Sequence, residues 1–390
     1  MLNSINSIIN GVESIRMRGL NMHLANIFYI LFAALIIWGM KPQKPGQWND
    51  EVMSFDHTKA FLGFSSVGII LHHCAEATCA EWLPRNKIVP GMEGFVCIGY
   101  LFVAAFFFCS GYGMYKAGKK EDFAKKFFPK RIVPILIPTA ATWAVFVILR
   151  AIRKMPFKGD PVMWHPHIWF VPVLIVLYIA FFIGFGLIKK DIAGILIVGT
   201  VTAGLTVFLI KRGFGSWWYN TNHLFFIGIL MSKFEKPLMK VFKKLYVLFL
   251  ILAAALTVVG FAAGNYWAQV CKLIHYRYDY GKSYNFCVAA QMVSAVTFAW
   301  LILLIGMKIK IGNPALRFLG RMTLDLYMIQ AIFVYLFDFY FIEYNVKPFF
   351  YIKDVTLFTV VVLATSIVTA FLFHLATKPL VNKLRGVKKT

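Results

Sequence analysis

Along most of this chain the apolar positions neither alternate nor follow one stripe of a helix. They form unbroken runs joined by short segments rich in Lys and Arg. A helix needs about 20 apolar residues to cross a bilayer, whereas barrel strands show alternation over segments of about 10 residues. Runs at 24–40, 59–77, 95–115, 132–149, 167–188, 191–210, 222–232, 246–267, 285–307, 318–341 and 356–376 are therefore expected to be membrane helices, with 222–232 too short to span alone. Residues Met1 to Leu20 are polar and amphipathic, carrying Ile8, Ile9 and Ile15. They lack the apolar core of a signal peptide, and an interfacial helix is expected there.

Composition agrees with the pattern. Of 390 residues, 59% are hydrophobic and 17% aromatic, with mean hydropathy +0.69, far more apolar surface than one soluble core requires. The net charge of +24 does not point to nucleic acid, because the basic residues are dispersed over short loops with no soluble domain to present them. Most of the 41 lysines and arginines fall on one side if the loop Lys116 to Arg131 is cytoplasmic. That assignment also puts the basic C-terminal tail inside. Three units follow: 1–45, an amphipathic segment with an extra membrane helix; 46–378, the main membrane domain; and 379–390, the tail. Of the six cysteines, Cys97, Cys109 and Cys287 fall within expected helices, while a disulfide among Cys74, Cys79 and Cys271 is open. No Cys-x-x-Cys pair or metal-ligand array has usable spacing, and no metal is expected.

The chemistry concentrates on one apolar helix. His73 lies fourteen residues after Lys59, roughly 21 Å into a core of about 30 Å. Ionisable groups at that depth mark functional sites. Glu76 follows His72 by four residues and His73 by three, so its carboxylate can share a face with either imidazole. A carboxylate on one ring nitrogen fixes the tautomer and leaves the other nitrogen as a base. The plainer alternative is that one His bonds a neighbouring helix and the other faces the headgroups.

A second cluster is Phe127-Phe-Pro-Lys-Arg-Ile-Val-Pro134, preceded by Lys125 and Lys126. Lys126, Lys130 and Arg131 beside a new helix start suit a polyanion such as coenzyme A. Anchoring on acidic lipid is the competing account.

Taken together, these stretches resemble the acyltransferase-3 family of integral membrane acyltransferases, which includes bacterial O-acetyltransferases of surface polysaccharides. Phe55-Asp-His-Thr-Lys59 with the helix ending in His72 and His73 is similar to the family opening. Phe106-Phe-Phe-Cys-Ser-Gly-Tyr-Gly113 resembles its aromatic run into Ser-Gly-Phe. Residues 127–134 resemble its basic segment, and Leu319-Gly-Arg-Met-Thr-Leu-Asp-Leu-Tyr-Met-Ile-Gln330 its late helix. His167-Ile-Trp-Phe170 is a weaker fifth match. The resemblance implies an all-α, polytopic transmembrane bundle of about ten core helices, to which 24–40 would add one N-terminal helix.

It further implies a cell-membrane enzyme that moves an acyl group, expected to be acetyl, from cytosolic acyl-CoA to a hydroxyl of a surface glycan or glycolipid, in contact with membrane lipids. His73 or His72 would be catalytic, with Glu76 beside them. Lys126, Lys130 and Arg131 would bind the donor. Trp169, Tyr327 and Gln330 would contact substrate, or in the case of Trp169 and Tyr327 anchor the interface. The chain departs from the family pattern at Thr323, which replaces a common Ser, and at Gln330, which replaces a late His. Gln cannot take a proton near neutral pH, so acid–base work should rest on the early histidines. A proton-coupled transporter or flippase using His72, His73 and Glu76 is the alternative, although no inverted repeat is visible.

Overall fold

The computed structural model describes residues 24–83, 85, 88–155, 157–337, 350 and 352–384. The interfacial helix expected in the first twenty residues lies outside them. The fold is all-α and polytopic. Its helices are α1 (Ile27–Ile37), α2 (Phe55–Cys79), α3 (Gly99–Gly118), α4 (Phe123–Phe127), α5 (Val133–Ile152), α6 (Phe170–Phe181), α7 (Asp191–Lys211), α8 (His223–Lys233) and α9 (Glu235–Lys244). They continue as α10 (Tyr246–Asn265), α11 (Tyr280–Lys308), α12 (Pro314–Arg321), α13 (Thr323–Phe337) and α14 (Val355–Leu384). Two short strands, β1 (Lys41–Pro42) and β2 (Ile309–Lys310), pair antiparallel and tie the segment before α2 to the end of α11.

Among the described residues, eight helices are long and apolar enough to cross a membrane, and a ninth candidate is the bent pair α12 and α13. Two expectations change. The run 24–40 yields an 11-residue helix, about 16 Å long, too short to cross a ~30 Å core unaided. The run 318–341 is not one helix: α12 and α13 meet at 81°, and 338–341 lies outside the described residues. All six cysteines are thiols, so the disulfide considered among Cys74, Cys79 and Cys271 is not formed.

The bend is built locally. Asn313 caps α12 by accepting from Leu316 N at 2.8 Å, with Pro314 at the first helical position. Such a cap is worth about 1 kcal/mol. The same Asn313 amide donates to the carbonyls of Leu35 and Trp38, fastening the end of α1. At the other end Met322 leaves helical geometry, and α13 starts in a new direction.

α2 is the axis of the bundle, with 83% of its apolar window buried. Polar residues survive there because they bond within the helix. Ser65 donates to Phe61 O, Ser66 to Leu62 O and Thr78 to Cys74 O, at 2.8–3.0 Å. α12 packs against α2 at van der Waals backbone distance. A Cβ on Gly320 would lie 1.9 Å from Lys59 O, and one on Gly63 would lie 2.1 Å from Leu316 O. Only glycine fits at either place. This crossing fixes where α13 leaves α12, and so which of its residues meets the histidines of α2. His57 secures the entry to α2: its Nδ1 donates to Val52 O at 2.6 Å, and its Nε2 accepts from Ile311 N at 3.1 Å.

Candidate active site

The adjacent histidines have different partners. His73 is buried, and its Nδ1 lies 2.5 Å from the amide nitrogen of Gln330 on α13, which is fully buried. Because a glutamine amide offers both a donor and an acceptor, it can hold this imidazole in either neutral tautomer. The Gln330 Oε1 has no partner of its own among the described residues. His167 stacks on the other side of the assembly, its ring 3.8 Å from that of His73 at 21°.

His72 turns the other way. Its Nδ1 donates to Phe95 O at 3.0 Å, and its Nε2 lies 3.5 Å from Glu76 Oε2, one turn further along α2. Gly99 makes room for this ring, since a Cβ there would sit 2.2 Å from it. Glu76 thus belongs with His72, and Gln330 takes the corresponding place beside His73. One ligand atom from each of His72, His73 and Glu76 lies within 4.8 Å of the others, and among the described residues no further His, Cys or carboxylate joins them.

The segment before α6 supplies His165 and His167. His165 Nδ1 accepts from His167 N at 3.2 Å, and its ring packs against Phe146. Burial lowers the His165 imidazole to about 4, which keeps it neutral near pH 7. Trp169 is buried between Phe170 and Trp218, with ring centroids 6.1 and 6.3 Å away. It is not on the wall of the cavity described next.

A cavity of about 720 Å³ opens beside this centre. Its wall carries six cationic side chains, from Lys59, Lys116, Lys130, Arg131, Arg321 and Lys378, against a single carboxylate, Asp325. That carboxylate accepts from His374 Nδ1 at 2.8 Å. Lys116 pairs with Glu235 at 2.6 Å. The apolar part of the wall includes Phe106, Phe170 and Leu174, and Ser110 and Tyr178 share a hydrogen bond of 2.6 Å within it.

Tyr327 on α13 lines the cavity, whereas His73, His167 and Gln330 do not. The Tyr327 hydroxyl donates to His167 O at 3.1 Å. Gln330 lies one turn beyond, about 4.5 Å along the axis, and holds His73. A chain of direct contacts therefore runs from the cavity wall through Tyr327 and His167 to His73.

Lys130 and Arg131 occupy a π-helical turn, Phe128–Ile132, between α4 and α5. Such turns widen the helix and recur at functional sites; here Pro129 and Pro134 lie in and just after it. Lys126 is one turn earlier and points elsewhere. It pairs with Asp122 four residues back, holding that exposed carboxyl below its usual range, and does not line the cavity. Lys119, in the same loop, pairs with Asp191 at 2.8 Å. Near Ser110 the glycines divide: Gly111 packs against the backbone of Phe225 on α8, while Gly113 has open space and lines the cavity.

Sequence reasoning singles out His72, His73, Glu76, Lys130, Arg131, Tyr327 and Gln330, all placed at the centre or on the cavity wall. It assigns no role to Arg321, Lys378 or the Asp325–His374 pair. The signal for that pair is an ionisable residue in each of two late apolar runs.

The polytopic helical fold thus holds a buried histidine centre and an adjoining basic cavity. The chain belongs to the acyltransferase-3 family, whose model, an acyltransferase domain, matches residues 60–375. It is a multi-pass membrane acyltransferase. No curated protein matches the chain, and no solved structure does.

Proposed function

We propose that the protein transfers an acetyl group from acetyl-CoA, held in the basic cavity, to a hydroxyl of a surface glycan or glycolipid. The observation that carries this reading is the cavity's charge, six cations against one carboxylate, together with the contacts linking Tyr327 on its wall to His73. Phosphates suit such a wall, and the apolar stretch near Phe106 and Phe170 suits a pantetheine arm. On this reading the cavity faces the cytosol, where acyl-CoA is made, and the C-terminus lies on that side of the cell membrane.

In the reaction, the acceptor hydroxyl gives its proton to His73 Nε2 while its oxygen attacks the thioester carbonyl. The new C–O bond forms, the C–S bond breaks, and the imidazolium returns the proton to the departing thiolate. Gln330 Nε2 faces Nδ1; turning the amide over, so that the unpartnered Oε1 takes the Nδ1–H, makes Gln330 the orienting partner and leaves Nε2 basic. His72 and Glu76 form a separate pair beside it. A positioned general base contributes about 10²–10⁴ in rate.

The test is turnover of radiolabelled acetyl-CoA by the purified full chain, by hydrolysis or by exchange. His73→Ala should lower the rate by at least about a hundredfold. Undiminished turnover in a His72→Ala, His73→Ala double variant would overturn the mechanism. Proton-driven flux in proteoliposomes without any acyl donor would favour a transporter instead.

A further inference from the structure

The six cations of the cavity come from five segments of the chain, Lys59 from α2 and Lys116 from α3 among them. Lys130 and Arg131 stand on the π-helical turn before α5, whereas Arg321, Lys378 and the Asp325–His374 pair come from α12, α14 and α13. We infer that Arg321, Lys378 and His374 form a second phosphate subsite, which takes a phosphomonoester. In the donor that group is the phosphate on the ribose of coenzyme A, and Lys130 and Arg131 are left to the diphosphate. The inference rests on reading the cavity as the donor site.

Three observations support it. First, Arg321 and Lys378 have no ion-pair partner among the described residues. The single carboxylate of the wall is engaged by His374 Nδ1 at 2.8 Å. Cations gathered in a cavity without counter-charge repel one another, and an anion relieves that repulsion.

Second, His374 and Lys378 are four residues apart on α14, so both present to the same side of the helix. Asp325 orients the imidazole by accepting from Nδ1, which leaves Nε2 for a ligand. Asp325 is therefore a positioning residue.

Third, the donors match the chemistry of a terminal phosphate. A phosphomonoester carries a charge of about −1.5 to −2 near pH 7 and three terminal oxygens. A guanidinium fork, an ammonium and the His374 Nε2–H, present when the imidazole carries a proton on both nitrogens, supply donors for all three. A diphosphate esterified at both ends spreads its charge over two phosphorus centres and must sit where the ligand continues towards the thioester. It suits the Lys130–Arg131 stretch, whose neighbours on the wall include Pro134 and Tyr178.

The experiment compares the affinities of coenzyme A and 3′-dephospho-coenzyme A for the full chain, in nonionic detergent and phosphate-free buffer. The natural chain should prefer coenzyme A by roughly tenfold or more, the loss expected for a charge-assisted hydrogen-bond set. Arg321→Gln and Lys378→Gln should each move that ratio towards one. Lys130→Gln and Arg131→Gln should weaken both ligands alike and preserve it. Lys126→Gln, off the wall, controls for net charge and should leave both affinities nearly unchanged.

A ratio near one in the natural chain, or a ratio that Arg321→Gln and Lys378→Gln do not move, overturns the subsite. If in that case phosphatidic acid co-purifies with the natural chain but not with Arg321→Gln, the cluster serves a lipid headgroup. If the natural chain binds neither nucleotide, the donor reading itself fails.

Discussion

A histidine works as a base only when its second nitrogen is held in the right tautomer, and in the proposed mechanism that task falls, at His73, to Gln330. The amide is fully buried and 2.5 Å from Nδ1, so removing it leaves a buried ring nitrogen without a partner, at a cost of about 1–3 kcal/mol. Gln330→Ala should therefore lower the acyl-transfer rate by about ten- to a hundredfold, the range seen when an outer-shell partner of a reactive group is lost. Coenzyme A affinity, measured alongside, should change little, because Gln330 does not line the cavity. A fall in affinity that matches the fall in rate would instead make Gln330 a donor contact. This pairing could not be read from the sequence: the two residues are 257 positions apart, and nothing in local spacing says which helix covers which histidine. The His72–Glu76 contact was legible, because four-residue spacing puts both groups on one helical face. The same rule applied to His73 and Glu76 offered a second pairing, which the crossing of α13 leaves unused.

At the scale of elements, hydrophobic runs identified where helices lie but not where they bend. Residues 318–341 read as one span because Leu, Met and Ile continue through Met322, yet α12 and α13 meet at 81°. Just before the bend α12 crosses α2 at backbone distance, which only glycine permits at Gly320 and Gly63. Adding a methyl group at Gly320 would place carbon 1.9 Å from Lys59 O, and the helices would have to separate. Gly320→Ala should thus destabilise the protein by about 1–3 kcal/mol or more, read as a lower melting temperature in detergent. It should also lower activity, since α13 carries both Tyr327 and Gln330. Gly113→Ala is the matched control: a Cβ there would meet no atom within 4 Å, and its melting temperature should stay close to that of the natural chain. Equal shifts for the two variants would remove the crossing from the account of the fold.

At the scale of the whole molecule, the charge on the loops and the charge in the cavity are parts of one distribution. The expected cytoplasmic side collected most of the lysines and arginines, and the cavity draws five of its six cations from those segments, the sixth, Lys59, standing at the boundary. The tail, separated at 379 on the sequence, continues α14 without a break to Leu384, and Val381 and Asn382 line the cavity. Composition placed the helices in a membrane because a long apolar run has few other uses. It could not show that charged residues from distant segments converge, since convergence depends on packing. The orientation is open to a direct test. In a variant whose six native cysteines are replaced by Ala or Ser, Asn382→Cys should react with a membrane-impermeant maleimide in inside-out vesicles and not in intact cells. Saturating coenzyme A should slow that reaction, because the thiol would stand on the wall of the occupied cavity. Labelling from outside in intact cells would reverse the orientation, and it would separate the basic cavity from the cytosolic pool of acyl-CoA on which the proposed reaction depends.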